Sequence, residues 1–138
     1  MARYLVTGAA GFIARQVIER LAAEGHEIIG VDNLNDSYDP RLKEWRLQQL
    51  ARLPQFTFLQ DDICRPDLFT ELSRQFAPFD AVIHLAARAG VRQAVEIPEA
   101  YLQTNAMGTL NILEWCRKSG PSKLVLASTS SIYGANPP

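Results

Sequence analysis

With 138 residues, 14 basic and 15 acidic side chains and 47% apolar residues, the chain has room for one domain with a real core; two full domains would be crowded. The near-cancelling charge argues against a nucleic acid or an anionic membrane recruited by bulk electrostatics. No apolar run approaches the roughly 18 residues needed to cross a bilayer, and Gly8 interrupts the start too early for a secretory signal, so the expectation is one cytoplasmic domain over residues 1–138.

Taken in chain order, short apolar runs alternate with helical patterns. Tyr4-Leu5-Val6 reads as a first strand, followed by a helix from Phe12 to Glu24 that Gly25 ends. Glu27 to Val31 reads as the second strand, Pro40 to Leu53 as the next helix and Phe56 to Leu59 as the third strand. A helix from Pro66 to Phe76 then precedes a strand from Ala81 to Leu85. A long helix from Pro98 to Lys118 is stopped by Ser119-Gly120-Pro121, and a fifth strand runs from Lys123 to Ala127. Pro66 and Pro98 sit where a first helical turn tolerates a missing N–H. Continuous apolar strands suit a parallel sheet covered on both faces. The alternation therefore predicts right-handed βαβ units in a doubly wound, Rossmann-like α/β fold with strand order 3-2-1-4-5. Only Asn136-Pro137-Pro138 reads as a tail. Cys64 and Cys116 have no metal-ligand spacing and read as small buried hydrophobes, so no metal site is expected.

The most informative segment is Thr7-Gly8-Ala9-Ala10-Gly11-Phe12-Ile13-Ala14, between the first strand and the first helix. Gly8 permits a sharp exit from the strand. Gly11 lets the backbone approach a pyrophosphate, where free N–H groups and the helix dipole favour negative charge. Ala14 lies where the helix packs closely on the sheet. The second strand ends in Val31-Asp32-Asn33, and an acid there accepts from both hydroxyls of an adenosine ribose while repelling a 2′-phosphate. Together these features point to a dinucleotide, NAD(H) rather than NADP. Read alone, the small residues make only a tight turn.

In this context Gly8-Ala9-Ala10-Gly11-Phe12-Ile13 resembles the fingerprint of the extended short-chain dehydrogenase/reductase family, which ordinarily has Gly where this chain has Ala14. Further segments resemble the family in the right order: Val31 to Leu34, Asp61-Asp62-Ile63, His84 to Arg92, Asn105 to Thr109, and Ser128 to Gly134. The His84 to Arg92 segment is most similar to nucleotide-sugar 4-epimerases, especially those acting on UDP-uronic acids. The resemblance implies that Gly8, Ala10, Gly11, Phe12 and Ile13 surround the pyrophosphate, and that Asp32 and Asn33 hold the adenosine ribose. Asp62 and Ile63 would flank the adenine; Leu85, Ala86 and Ala87 would lie beneath the nicotinamide ribose. Asn105 would steady the active-site backbone, and Thr129 would occupy the family's catalytic Ser/Thr position. His84 reads as a buried strand histidine rather than a catalyst. Arg88 and Arg92 are either solvated charges or contacts to a substrate phosphate or carboxylate.

The family's chemistry also uses a Tyr and a Lys four residues later, which depresses the phenol pKa and holds the nicotinamide ribose. Four positions after Tyr4, Tyr38, Tyr101 and Tyr133 stand Gly8, Leu42, Asn105 and Pro137. The resemblance therefore implies the cofactor half of an epimerase, truncated before the catalytic pair and the C-terminal substrate domain. Three readings follow: an NAD(H)-binding domain without turnover of its own, an enzyme completed by another chain or copy, or an interaction module that kept the fold and lost the ligand. A homodimer is expected, through the helix at 98–118, which carries too many apolar residues for one buried stripe, or through the fifth-strand edge.

Overall fold

The computed structural model describes residues 1–134. Its centre is a five-stranded parallel sheet in the order β3-β2-β1-β4-β5. The strands are β1 (Arg3–Thr7), β2 (Glu27–Asp32), β3 (Phe56–Gln60), β4 (Ala81–His84) and β5 (Leu124–Leu126). This is the order the sequence predicts. The chain's direction reverses between β1 and β4, which leaves a crevice at the carboxyl ends of the strands.

Neighbouring residues of one strand point to opposite faces, so each central strand feeds two cores. Leu5, Ile29 and Val82 face one layer, built by α3 (Leu68–Phe76) and α6 (Thr109–Lys118). There Trp115 stacks on Phe69, meets Phe79 edge-on, and donates its indole N–H to Ser73 Oγ at 2.7 Å. Val6 and Ile28 face the other layer, built by α1 (Phe12–Ala23) and α2 (Pro40–Leu50), where Ala14, Ile18 and Ala22 form the buried stripe of α1. Ala14 is buried because α1 lies close against the sheet at that point.

The segment at 98–118 departs from the expected uniform helix. Pro98–Tyr101 (α5) is α-helical, Leu102–Gly108 is a π-helix, and Thr109–Lys118 (α6) is α-helical again. Wide π turns concentrate at functional sites. This one carries Asn105 and ends at Gly108, where an added Cβ would meet Ile63 Cδ1 at 2.5 Å. A short helix, α4 (Val91–Glu96), stands in a stretch the sequence pattern left unassigned. Here Gly90, with φ +104°, starts a helix too short to show a period. Ser130–Tyr133 forms a 3₁₀ turn. The expected tail, Asn136 to Pro138, lies outside the described residues. Cys64 and Cys116 are free and half-buried, not fully buried as expected, because each lies at the rim of the Trp115 core. No helix among the described residues is long and apolar enough to cross a membrane.

Candidate functional site

The Gly-rich turn leaves β1 and enters α1 over the crevice. Gly8 has φ +70°, and a Cβ there would lie 2.8 Å from the Ala86 backbone nitrogen. Only glycine meets both demands. The turn is tied to β2 at two points: the Ala9 N–H donates to Val31 O at 3.1 Å, and the Ala10 N–H to Asp32 Oδ2 at 3.1 Å. Gly11 precedes α1 with no side-chain cap. The first-turn N–H groups of Phe12, Ile13 and Ala14 consequently have no acceptor within the helix, and the macrodipole adds partial positive charge there.

A cleft of about 170 Å³ opens beside this turn, lined among others by Gly8, Gly11, Asp32, Asn33, Asp62, Ile63, Leu85, Ala86 and Ala87. The residues named from the sequence at four separate strand ends thus converge on one cavity. Three others named for the pyrophosphate are placed differently. Ala10 does not line the cleft: its side chain is fully buried, and its carbonyl accepts from Arg46 at 3.1 Å. Phe12 and Ile13 turn outward and are largely exposed, so any contribution they make to the cleft comes from their backbone.

Beyond β2 the chain makes consecutive Asx turns. Asp32 Oδ1 accepts from the Leu34 N–H (2.8 Å), Asn33 Oδ1 from Asn35 (3.1 Å) and Asn35 Oδ1 from Ser37 (3.3 Å). These bonds hold Leu34 at φ +55°, an uncommon region for a branched residue. They shape the cleft's outer wall. Lys43 of α2 reaches into it, only 5% exposed. Its ammonium donates to the Asn35 backbone carbonyl (2.9 Å) and to Asn35 Oδ1 (3.0 Å), and sits 3.7 Å from Asp32 Oδ1. Arg88 donates to Oγ of Ser37, a residue of this wall, at 3.2 Å.

On the opposite wall, Asp62 Oδ2 accepts from the Asn33 side-chain amide (2.8 Å) and Oδ1 from the Cys64 N–H (2.8 Å). Burial pushes the Asp62 carboxyl upward, but the Cys64 and Asn33 bonds more than offset that, so it titrates below the ordinary range. It is therefore ionised at neutral pH and acts only as an acceptor.

Asn105 and Thr129 line a second, wider cleft of about 630 Å³ that shares Leu85, Ala86 and Ala87 with the first. The Asn105 amide clamps the Arg88 backbone from both sides, accepting from its N–H (2.8 Å) and donating to its carbonyl (2.9 Å). Thr129 Oγ1 accepts from the Ser131 N–H at 3.2 Å, leaving its own proton free to donate. Among the described residues, no group of three or more His, Cys, Asp or Glu is placed to hold a metal ion.

The sequence reading missed Lys43, Asn35, Ser37 and Tyr38, all of which line the first cleft. The run Asp32-Asn33-Leu34-Asn35-Asp36-Ser37 carried a signal, since Asx residues in succession after a strand favour such turns. Nothing in the sequence distinguished Lys43 from its neighbours on a polar helix.

Fold and cleft define a class. The model of the NAD dependent epimerase/dehydratase family matches residues 4–138, and the chain belongs to that family. Among curated relatives, the UDP-glucuronate 4-epimerase of Thermodesulfobacterium geofontis is 53% identical over 141 residues, covering 100% of this chain and 43% of that protein. UDP-glucuronate 4-epimerase 3 of Arabidopsis thaliana is 44% identical, over 96% of this chain and 30% of the relative. The solved UDP-glucuronic acid 4-epimerase of Bacillus cereus, in complex with UDP-glucuronic acid and NAD, superposes with a TM-score of 0.87 at 33% identity, over 99% of this chain and 43% of that one. A Thermotoga maritima UDP-glucose 4-epimerase with UDP-glucose gives 0.82 at 31% identity, over 99% and 41%. The chain thus spans about two fifths of the first of these relatives.

Proposed function

We propose that residues 1–138 form one dinucleotide-binding unit that holds NAD(H) in the cleft beside Gly8, and that this unit serves 4-epimerisation of a UDP-uronic acid. The observation that carries the reading is convergence. A glycine at positive φ, the glycine that opens an uncapped helix, a carboxylate ending β2 and a carboxylate after β3 all line one cavity. The residues fit the group chemically. The N–H groups of Phe12, Ile13 and Ala14, which have no acceptor within α1, take a pyrophosphate at the positive end of the helix dipole, while the Gly11 N–H is held by the Gly8 carbonyl at 2.8 Å and closes the turn. Asp32 and Asn33 take the adenosine ribose, and Asp62 and Ile63 the adenine. Leu85, Ala86 and Ala87 support the nicotinamide ribose from the wall shared with the second cleft.

When bound, NAD supplies the hydride acceptor and donor that inversion at a sugar carbon requires. The chain's own part is to orient and to exclude water. Asn105 fixes the Arg88 backbone at the junction of the two clefts, and Thr129 offers a hydroxyl proton to a sugar oxygen. None of the four tyrosines is followed four positions on by lysine, so these residues by themselves are expected to bind cofactor without turnover. Arrangement as a homodimer through the 98–118 segment is part of the same reading. Leu102, Met107, Leu110 and Leu113 are exposed along it while Ile112 and Trp115 fill the core.

An NADH fluorescence titration tests the binding. Saturation is expected, and the absence of any saturable signal at millimolar cofactor would rule the reading out.

A further inference from the structure

Between the Gly-rich turn and the π-helical segment runs a line of hydrogen bonds whose directions are all determined. Thr7 Oγ1 is fully buried and accepts from the Leu85 and Ala86 N–H groups, each at 3.2 Å. Its single proton therefore points to the remaining neighbour, His84 Nδ1, at 2.6 Å. His84 Nε2 lies 2.9 Å from Thr109 Oγ1, which already donates its own proton to the Asn105 carbonyl at 2.7 Å. The Nε2 proton must then sit on the ring. Asn105 ends the line by clamping the Arg88 backbone.

We propose that His84, held as the neutral Nε2–H tautomer between Thr7 and Thr109, is a positioning residue that couples the Gly-rich turn to Asn105. Through that coupling it sets the height of the wall Leu85–Ala87, which both clefts share and which runs on to Arg88 in the wider one. The role rests on the cofactor reading only for its consequence; the coupling itself is a property of the chain. Three features carry it. His84 is only 2% exposed, so its ring is oriented by its two hydroxyl partners rather than by bulk solvent. Neither hydroxyl has a spare proton or a second acceptor in the line, so the ring cannot flip without breaking a bond at each end. The line also begins and ends on the same wall: Ala86 hangs from Thr7, and Arg88 hangs from Asn105.

The test uses the full 138-residue chain with Thr109→Val, which removes the hydroxyl at nearly constant shape, and Thr109→Ser, which restores it. Nitrogen NMR of the His84 ring should show Nδ1 bare and Nε2 protonated; the opposite tautomer overturns the proposal. Amide exchange is the second readout and needs no cofactor. Thr109→Val should speed exchange about tenfold at Arg88 and also at Ala86, on the far side of His84, and Thr109→Ser should restore both. A response confined to Arg88, or none, overturns the coupling. The third readout is NADH affinity, expected to weaken about tenfold in Thr109→Val and to recover in Thr109→Ser. Coupled exchange with unchanged affinity would overturn the positioning role. If the unmodified chain binds no NADH, the cofactor reading falls, and the exchange pattern still decides the coupling.

Discussion

Gly8 and the Ala86 backbone nitrogen stand so close that a single added carbon on Gly8 would lie 2.8 Å from it. The Gly-rich turn is packed against the wall after β4, and the cleft exists between them. Gly8→Ala therefore forces either β1 or the Leu85–Ala87 stretch to move. Positive φ alone costs about 1–3 kcal/mol for a residue with a Cβ. The expected result is a lower midpoint of thermal unfolding together with loss of detectable NADH binding. Unchanged affinity at unchanged stability would place the dinucleotide elsewhere.

Asp32 has two duties, and substitution separates them. Its carboxylate accepts from the Ala10 and Leu34 N–H groups and offsets the buried charge of Lys43. Asp32→Asn keeps the shape and one carbonyl acceptor but leaves the ammonium without a counter-charge, a change that costs about 3–5 kcal/mol where such a pair is well buried. Asp32→Asn with Lys43→Met removes both charges and should recover much of that loss. NADH affinity should remain reduced in both variants, and the preference for NADH over NADPH should shrink. Full selectivity in the double variant would mean that another group reads the ribose.

Burial holds the His84 imidazole pKa down to about 4, against an ordinary value of 6.5. A histidine depressed on folding binds its proton more readily in the unfolded chain. Its contribution is complete above about pH 6.5 and is lost as pH falls toward 4. On the order of 2–3 kcal/mol of stability should disappear over that window. Urea unfolding between pH 4 and 7 measures this, with His84→Asn expected to flatten the curve. A slope unchanged by the substitution would show that His84 does not titrate this way.

The exposed apolar residues of the 98–118 segment predict self-association. Light scattering at increasing concentration should give a dimer, and Leu110→Lys with Leu113→Lys should give a monomer of nearly unchanged stability, since both side chains are about half exposed. A monomeric unmodified chain at high concentration would contradict the assignment of this face.

The strand order and the position of the crevice were legible because they follow from local patterns: apolar runs of strand length, helical stretches between them, and Gly8 at the first crossover. The convergence of Asp32, Asp62 and Leu85 on one cavity was legible for a topological reason, since each ends a parallel strand or follows one directly. What was not legible depends on distant partners. The π turn at Leu102–Gly108 goes with the clamp of Asn105 on Arg88 and the contact of Gly108 with Ile63, neither of which leaves a periodic trace. Lys43 matters because α2 packs beside the Asx turns after β2. Ala10 looked like a cleft residue by its position in the fingerprint, but its side chain is fully buried and does not line the cleft.

The central claim is that the chain holds NAD along the line from Gly8 to Asp32. A crystal structure of the 138-residue chain grown with NAD tests it most directly. The account predicts a pyrophosphate against the amides that open α1, with the adenosine ribose on the Asp32 carboxylate. Dinucleotide density in another part of the molecule, or a cleft without density at saturating NAD, would contradict it.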